Sequence, residues 1–382
     1  MKTAWKTVVP VLMALMLLLA TASGLAAASY PLSPSDDAIQ DALSYLRSQQ
    51  SFDGSIGGYA DSAWVCIAIA AAGEDPDTWE NGGDSLVDFL KSGPPGDDLS
   101  GEFNMGTYLA RMVLAAVAAG EDPEAFGSWS GSQAGVTITN GDYLGALVSL
   151  YDGAQFLQDL TGAADSAETL NDDFWALRAV VAAGESPYSS MVQNTAQFIM
   201  ANQEDDGGWT WGTPSHTWYM PDATDVDNTA AAIVALCLAK KAGSGAVSDG
   251  LDFLQANQDT SGGFIGYWTG VNVMSTAWCV DAIGAAGQHP GGSAWMPDND
   301  SAVDYLLAEQ ALDGSIGGSI RATSDAVLAL VGAYYRAPAA AMPAAVGGEA
   351  LRPDKTGVLL FPALSVMALA LGATLMLRRK TT

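Results

Sequence analysis

The sequence predicts an all-α fold, an α/α toroid of about six helical hairpins with inner and outer rings of helices. Three observations carry this. First, one phrase returns along the chain: an aromatic, an aliphatic, three residues, a glutamine, then a glycine turn and a bulky apolar residue. It reads YLRSQQSFDGSI at Tyr45–Ile56, FIMANQEDDGGW at Phe198–Trp209, FLQANQDTSGGF at Phe253–Phe264 and YLLAEQALDGSI at Tyr305–Ile316. Second, apolar Ala-rich segments alternate with these copies, and helices apolar almost all round belong inside a fold. Third, the DGSIGG turn after Tyr45 is repeated after Tyr305, as expected if the last hairpin lies beside the first.

Taken in order, the chain of 382 residues begins with a segment that reads as a secretory signal, residues 1–28. Lys2 and Lys6 precede an apolar run from Val8 to Leu19 and small residues ending Ala26-Ala27-Ala28. The toroid then spans 29–336. Each copy of the phrase ends an outer helix: the aromatic–aliphatic pair gives a buried stripe, and the glycine accepts left-handed backbone angles. The glutamine is placed to hydrogen-bond backbone groups at that turn. Inner helices start near Ser62, Tyr108, Asp173, Asp227, Ser275 and Thr323. Several end in AAG with a proline shortly after, a helix stop, and the recurrent Asp, Ser or Thr at the start reads as an N-cap. Two stretches break the rhythm. Gly93–Thr107 keeps only the glycine turn, and Phe126–Asp142 is an insertion with hairpin character. The third outer helix, within Leu147–Leu160, is the most degenerate. A Pro/Ala/Gly linker at 337–356 leads to an apolar segment, 357–377, long enough to cross a bilayer, and a basic tail, 378–382. Arg378, Arg379 and Lys380 prefer the cytoplasmic side, which gives a single-pass cell-membrane protein with an extracellular ectodomain.

The chain has 43 acidic and 15 basic residues. Five of the basic ones lie in the two end segments, which carry no acid, so the ectodomain is strongly negative. Such a surface repels nucleic acid. Cys66, Cys237 and Cys279 sit in apolar helices and read as core packing, not a disulfide framework. His216 and His289 are the only histidines, and no Cys/His spacing suggests a metal centre. No metal and no cofactor are expected.

The repeated phrase resembles the glutamine–tryptophan motif of the prenyltransferase and squalene-oxidase repeat proteins. The Phe198–Trp209 copy matches that motif in full, whereas Phe264, Ile316 and Ile56 stand where tryptophan is usual. The resemblance covers roughly residues 36 to 336 and implies the toroid. That family includes terpene cyclases, protein prenyltransferase subunits and corrinoid binders. Within PDATDVDNTAAAIVAL (Pro221–Leu236) the chain resembles the DxDDTA box of class II terpene cyclases, whose middle aspartate protonates an alkene or epoxide. The resemblance makes Asp227 that acid and Asp225 its partner. Asn228 stands where the last aspartate belongs, which removes a charge that would raise the pKa of the acid. The bland reading is that Asp227 or Thr229 caps an inner helix. Trp64, Trp175 and Trp278, at similar early positions of inner helices, are candidates to line a ligand site. The leading expectation is therefore a membrane-anchored ligand-binding or surface-structural module. Its partner would be a small hydrophobic ligand, a corrinoid or a surface glycan. The alternatives are a class II cyclase-like enzyme using the DVDNTA segment, and a carbohydrate-active α/α barrel with aromatics beside Asp225 and Asp227.

Overall fold

The structure is a computed structural model, which describes residues 30–97, 99, 104–220 and 223–333. The signal segment, the linker, the apolar segment 357–377 and the basic tail lie outside the described residues. Among the described residues no helix is long and apolar enough to cross a membrane.

Twelve α-helices alternate between an outer and an inner ring among these residues. The outer helices are α1 (Asp37–Ser48), α3 (Leu86–Lys91), α5 (Tyr143–Val148), α7 (Ser190–Ala201), α9 (Gly245–Ala256) and α11 (Ala302–Ala308). The inner helices are α2 (Tyr59–Ala71), α4 (Met105–Ala118), α6 (Asn171–Ala182), α8 (Val226–Leu238), α10 (Val273–Ala285) and α12 (Ile320–Leu330). Each inner helix packs on the next, and α12 packs on α2, so the inner ring closes. Two small antiparallel hairpins are added. β1 (Gly131–Gln133) pairs with β2 (Val136–Ile138) in the predicted insertion, and β3 (Phe264–Gly266) pairs with β4 (Gly270–Asn272) at the mouth of α10. The third outer helix starts earlier than the sequence suggested and is short, because Gly153 and the Tyr151–Phe156 bridge turn the chain where a helix would continue.

The repeated glutamine does two jobs at once. Gln203 Nε2 donates to the carbonyl of Gly207 in its own turn (2.7 Å) and to that of Ala246 in the next outer helix (2.8 Å). Gln258 does the same to Gly262 and Trp295, and Gln50 to Gly54 and Trp79. Gln310 closes the ring, bonding Gly314 (3.2 Å) and Ala38 of the first hairpin (2.8 Å). The turn glycine is required there. Gly314 has φ +87°, and a Cβ on it would stand 2.2 Å from the Asp41 carbonyl oxygen.

The residues read as helix caps behave differently. The N-caps of α4, α8, α10 and α12 are Asn104, Asp225, Asn272 and Ser319. Ser62, Asp173, Thr229, Thr276 and Thr323 lie inside the first turn and accept the backbone N–H of the turn residue: Ile56, Phe156, Trp209, Phe264 and Ile316, at 2.7–3.0 Å. Thus in five of the six hairpins one buried oxygen pins the outer turn to the inner helix. Two copies of the bond fall on Trp209 and Phe264, which are themselves fully buried.

Gly314→Ala should cost ~3 kcal/mol or more, through overpacking and the positive φ. Gln310→Leu, which strands two carbonyls, should cost about 1–3 kcal/mol. Denaturant midpoints should show Gln310→Leu as costly as Gln258→Leu; a much smaller loss would mean that the ring does not depend on this closure.

Candidate functional site

Residues four and then three apart share a helix face, and one such face of every inner helix points to the toroid axis. The proof is that Trp64, Trp175 and Trp278 come from α2, α6 and α10, which are not neighbours in the ring. Their indoles nevertheless meet edge to face, at 5.1 Å (Trp64–Trp175) and 5.2 Å (Trp175–Trp278). They can meet because the same level of α4, α8 and α12 carries Ala110, Ala231 and Asp325. The structure therefore brings together the three predicted tryptophans, joined through Trp175; Trp64 and Trp175 are only 4% and 5% exposed.

One turn nearer the N-terminal ends, the axial positions are Ala60, Gly106, Asn171, Asp227, Met274 and Arg321. All but Gly106 are partly solvent-reached, and Met274 is 40% exposed. They form the wall of a bowl whose floor is the tryptophan layer. One turn below, Arg178, Val234, Asp281 and Leu328 are buried. Arg178 lies over Trp175 (4.2 Å) and Arg321 over Trp64 (4.1 Å). Arg321 also pairs with Asp325 at 2.9 Å, along the same helix face.

The two predicted acids take different roles. Asp225 is the cap of α8: it accepts the Asn228 N–H (2.7 Å) and the Asn228 side-chain amide (2.6 Å). Burial pushes its carboxyl up to about 6 against these bonds, with help from Asp227. Because Asp225 caps the helix, Asp227 does not. Burial raises the Asp227 pKa, a hydrogen bond with Ser275 lowers it, and the Asp325 charge raises it. Ser275 Oγ accepts from the Asn272 amide (2.9 Å), so its own proton goes to Asp227. The other carboxyl oxygen, Oδ1, is buried without a partner. Asn228 turns out to be a bridge, linking Asp225 to Asn171 of the preceding inner helix (3.2 Å).

Charge counting on the axis points the same way. Asp227, Asp281 and Asp325 face Arg178 and Arg321, and an excess carboxylate in a buried setting keeps its proton. Arg321 is bonded to Asp325, and Arg178 acts on Asp281 and Asp325. Asp227 is the acid for which neither arginine acts as a perturbing charge. Asp172 and Asp173 are also fully buried, and burial raises both. Asp173 holds the Phe156 turn, and Asp172 packs on Gly106 of α4. Of these charged groups the sequence singled out only the Asp225 and Asp227 pair and the Asp173 region. The missed signal was a charge inside an otherwise apolar helix: Arg178 in FWALRAVV, Asp281 in WCVDAIG, Asp325 in TSDAVLAL.

Before α8, the loop through Trp211, Thr217, Trp218, Tyr219 and Met220 lines an open recess of about 670 Å³. It is tied down by Thr217 to Asp165 and by the Trp218 N–H to His216 Nδ1 (3.0 Å). Trp218 is 72% exposed. Burial raises the thiols of Cys66 and Cys279, and pushes Cys237 up to about 12, so all three are inert packing groups. Among the described residues no cluster of His, Cys, Asp or Glu is arranged to hold a metal ion.

Residues 171–264, from α6 through the turn after α9, match the squalene-hopene cyclase C-terminal domain. This match and the closed double ring of helices support a prenyltransferase and squalene-oxidase-like α/α toroid. Among solved structures the chain is similar to the type II terpene cyclase MstE from Scytonema, at 12% identity and a TM-score of 0.51, covering 79% of this chain and 99% of that one. A variant of that enzyme in complex with geranylgeranyl dihydroxybenzoate aligns at 13% identity and a TM-score of 0.49, over 78% of this chain and 96% of that one. The ent-copalyl diphosphate synthase of Streptomyces platensis aligns at 18% identity and 0.46, over 72% and 50%. No curated protein matches. The expectation of a ligand-binding or surface-structural module is corrected by these findings. The matched segment is that of a cyclase domain, and it contains Asp225 and Asp227 themselves.

Asp225 binds its proton more tightly folded than unfolded, so its stabilising effect is full below the ordinary carboxyl pKa and is lost as pH rises through about 6. Denaturant midpoints should therefore fall between pH 4 and pH 7, and Asp225→Asn should flatten part of that fall while keeping the cap. An unchanged slope in the variant would assign the effect to other buried acids.

Proposed function

We propose that this toroid is a class II-type terpene cyclase, an enzyme that starts cyclisation of a prenyl chain by protonating an alkene. The observation that carries the reading is the Asp227 carboxyl. It is half-buried and raised in pKa, held on one side by Ser275, and its other oxygen is buried without a partner, one turn above the tryptophans. A general acid needs a proton at working pH and a dry direction in which to deliver it. Ser275 fixes the rotamer; the partnerless Oδ1 gives the direction. Asp225 and Asn228 hold the first turn of α8 so that Asp227 stays on the axial face. Trp64, Trp175 and Trp278 supply a face on which a developing cation is stabilised by the ring quadrupoles.

Asp227→Asn should lower turnover of linear prenyl substrates by about 10²–10⁴-fold, read as cyclic product by gas chromatography and mass spectrometry. The acid works protonated, so the wild-type rate should be high at low pH and fall as pH rises through a midpoint above the usual carboxylate range. Ser275→Ala removes a bond that favours the charged form, so that falling limb should move to higher pH. Equal product from wild type and Asp227→Asn would sink the proposal. The topology read from the chain ends belongs to the same proposal: protease shaving of intact cells should release the toroid and leave a short membrane-bound stub.

A further inference from the structure

Arg321 is the one cation at the level of Asp227 on the axis; Ala60, Gly106, Asn171 and Met274 complete that level. Its guanidinium is held from two sides. Nε donates to Asp325 Oδ2 at 2.9 Å, and Cζ lies 4.1 Å from the ring centre of Trp64 and 5.9 Å from that of Trp278. Asp325 is itself fixed: its side chain is 2% exposed, and it takes a further hydrogen bond from Trp278. The rest of the guanidinium is unspent. Asp325 is the only ion-pair partner of Arg321 among the described residues, and Asp61 at the start of the adjoining α2 is not paired with it. Neither Nη donates to a group among those residues, and neither is sealed from solvent, in a side chain that is 27% exposed.

A cation that served only to neutralise Asp325 has no use for this free edge. With Asp227 protonated, Arg178 and Arg321 balance Asp281 and Asp325, so no axial carboxylate is left over for the Nη groups. The outer edge of a guanidinium offers parallel N–H donors that match two oxygens of a carboxylate or phosphate, and such charge-assisted pairs are among the stronger hydrogen bonds. The Trp64 stack and the Asp325 bond have already fixed the rotamer, so little side-chain freedom is lost when an anion arrives. Met274 of the neighbouring α10, on the same level and 40% exposed, offers apolar surface for the remainder of a ligand. We infer that Arg321 binds an oxyanion, and that the substrate of this site is a prenyl chain carrying a carboxylate or phosphate rather than a neutral one. The substrate class rests on the cyclase reading. A bound anion also sets a second negative group on the level of Asp227 and disfavours ionisation of that acid. Occupancy of Arg321 and protonation of Asp227 therefore support one another.

The test compares geranic acid with geraniol, one prenyl chain with and without the charge, at a pH where the acid is ionised. Binding to the full chain is read by quenching of tryptophan fluorescence, since the Trp64 ring lies against the guanidinium. Geranic acid should bind about ten- to a hundredfold tighter, and Arg321→Gln should bring the two within about threefold by weakening the acid. Arg321→Lys, which keeps the charge without the fork, should hold part of the preference. Arg321→Gln leaves Asp325 buried without its cation, so the double variant Arg321→Gln, Asp325→Asn controls for folding and should show the same loss. Equal affinities in the wild type, a result that needs no variant, overturn the inference, and so does a preference that survives Arg321→Gln. Inorganic phosphate that binds through Arg321 while acid and alcohol stay equal also overturns it, because the site then takes only a free ion. Product analysis separates the two readings. Preference for the acid without any cyclic product sinks Asp227 as the acid and leaves Arg321. Cyclic product made equally well from acid and alcohol, and lost in Asp227→Asn, sinks Arg321 as the specificity residue and leaves Asp227.

Discussion

A single amide holds the ring together. Gln50, Gln203, Gln258 and Gln310 each spend their two N–H donors on two carbonyls, one in their own turn and one in the following hairpin. A buried carbonyl left without a donor costs about 1–3 kcal/mol, so each glutamine fixes both the shape of its turn and the offset of its neighbour. The offset matters more. Because the same link sets the offset at four of the six junctions, inner helices arrive at the axis in register, as the meeting of Trp64, Trp175 and Trp278 shows.

That register makes the site possible. Levels of the axis are occupied by sets of side chains, and each set can be varied without altering the frame. Indoles from alternate helices meet only because the helices between them carry Ala110, Ala231 and Asp325 at that height. The acid is available only because Asp225, two residues earlier, has taken over the capping that would otherwise occupy a carboxylate in this turn. A buried, uncompensated carboxyl is unfavourable in itself; the fold tolerates it at Asp227, where half of the group is satisfied by Ser275 from the next helix.

The architecture was legible in the sequence because its cause is local and repeated. Gln and Gly recur at fixed spacing, and Gly314 or Gly207 cannot be replaced without meeting a neighbouring carbonyl. The site was legible only where it resembled a known box, at Asp225 and Asp227. Arg178, Asp281 and Asp325 escaped because a charge in an apolar helix has meaning only once the facing helix is known, and facing helices here lie about 50 to 150 residues apart in the chain. Ser62 and Thr323, and Thr276 beside Ser275, read as caps at the starts of inner helices for a similar reason. Their true partners, the backbone N–H groups of Ile56, Phe264 and Ile316, precede the helix and come from the turn. Local pattern gave the right residue type with the wrong partner.

The bond from Gln310 to Ala38 joins residues 272 positions apart, and Leu32 N–H likewise donates to the Leu330 carbonyl at 2.8 Å. The described chain therefore begins and ends at one seam, at the end of α12 opposite Asp227. Physically that seam resembles three other junctions between hairpins, sealed by the same amide on the same two kinds of carbonyl. A closed ring of this sort has no privileged first repeat. Joining residue 30 to residue 333 through a short loop and cutting at another outer turn would yield a circular permutant with the same neighbours throughout. The order in which the hairpins are synthesised is then a matter of history, while the bowl and its acid depend only on which hairpin sits beside which.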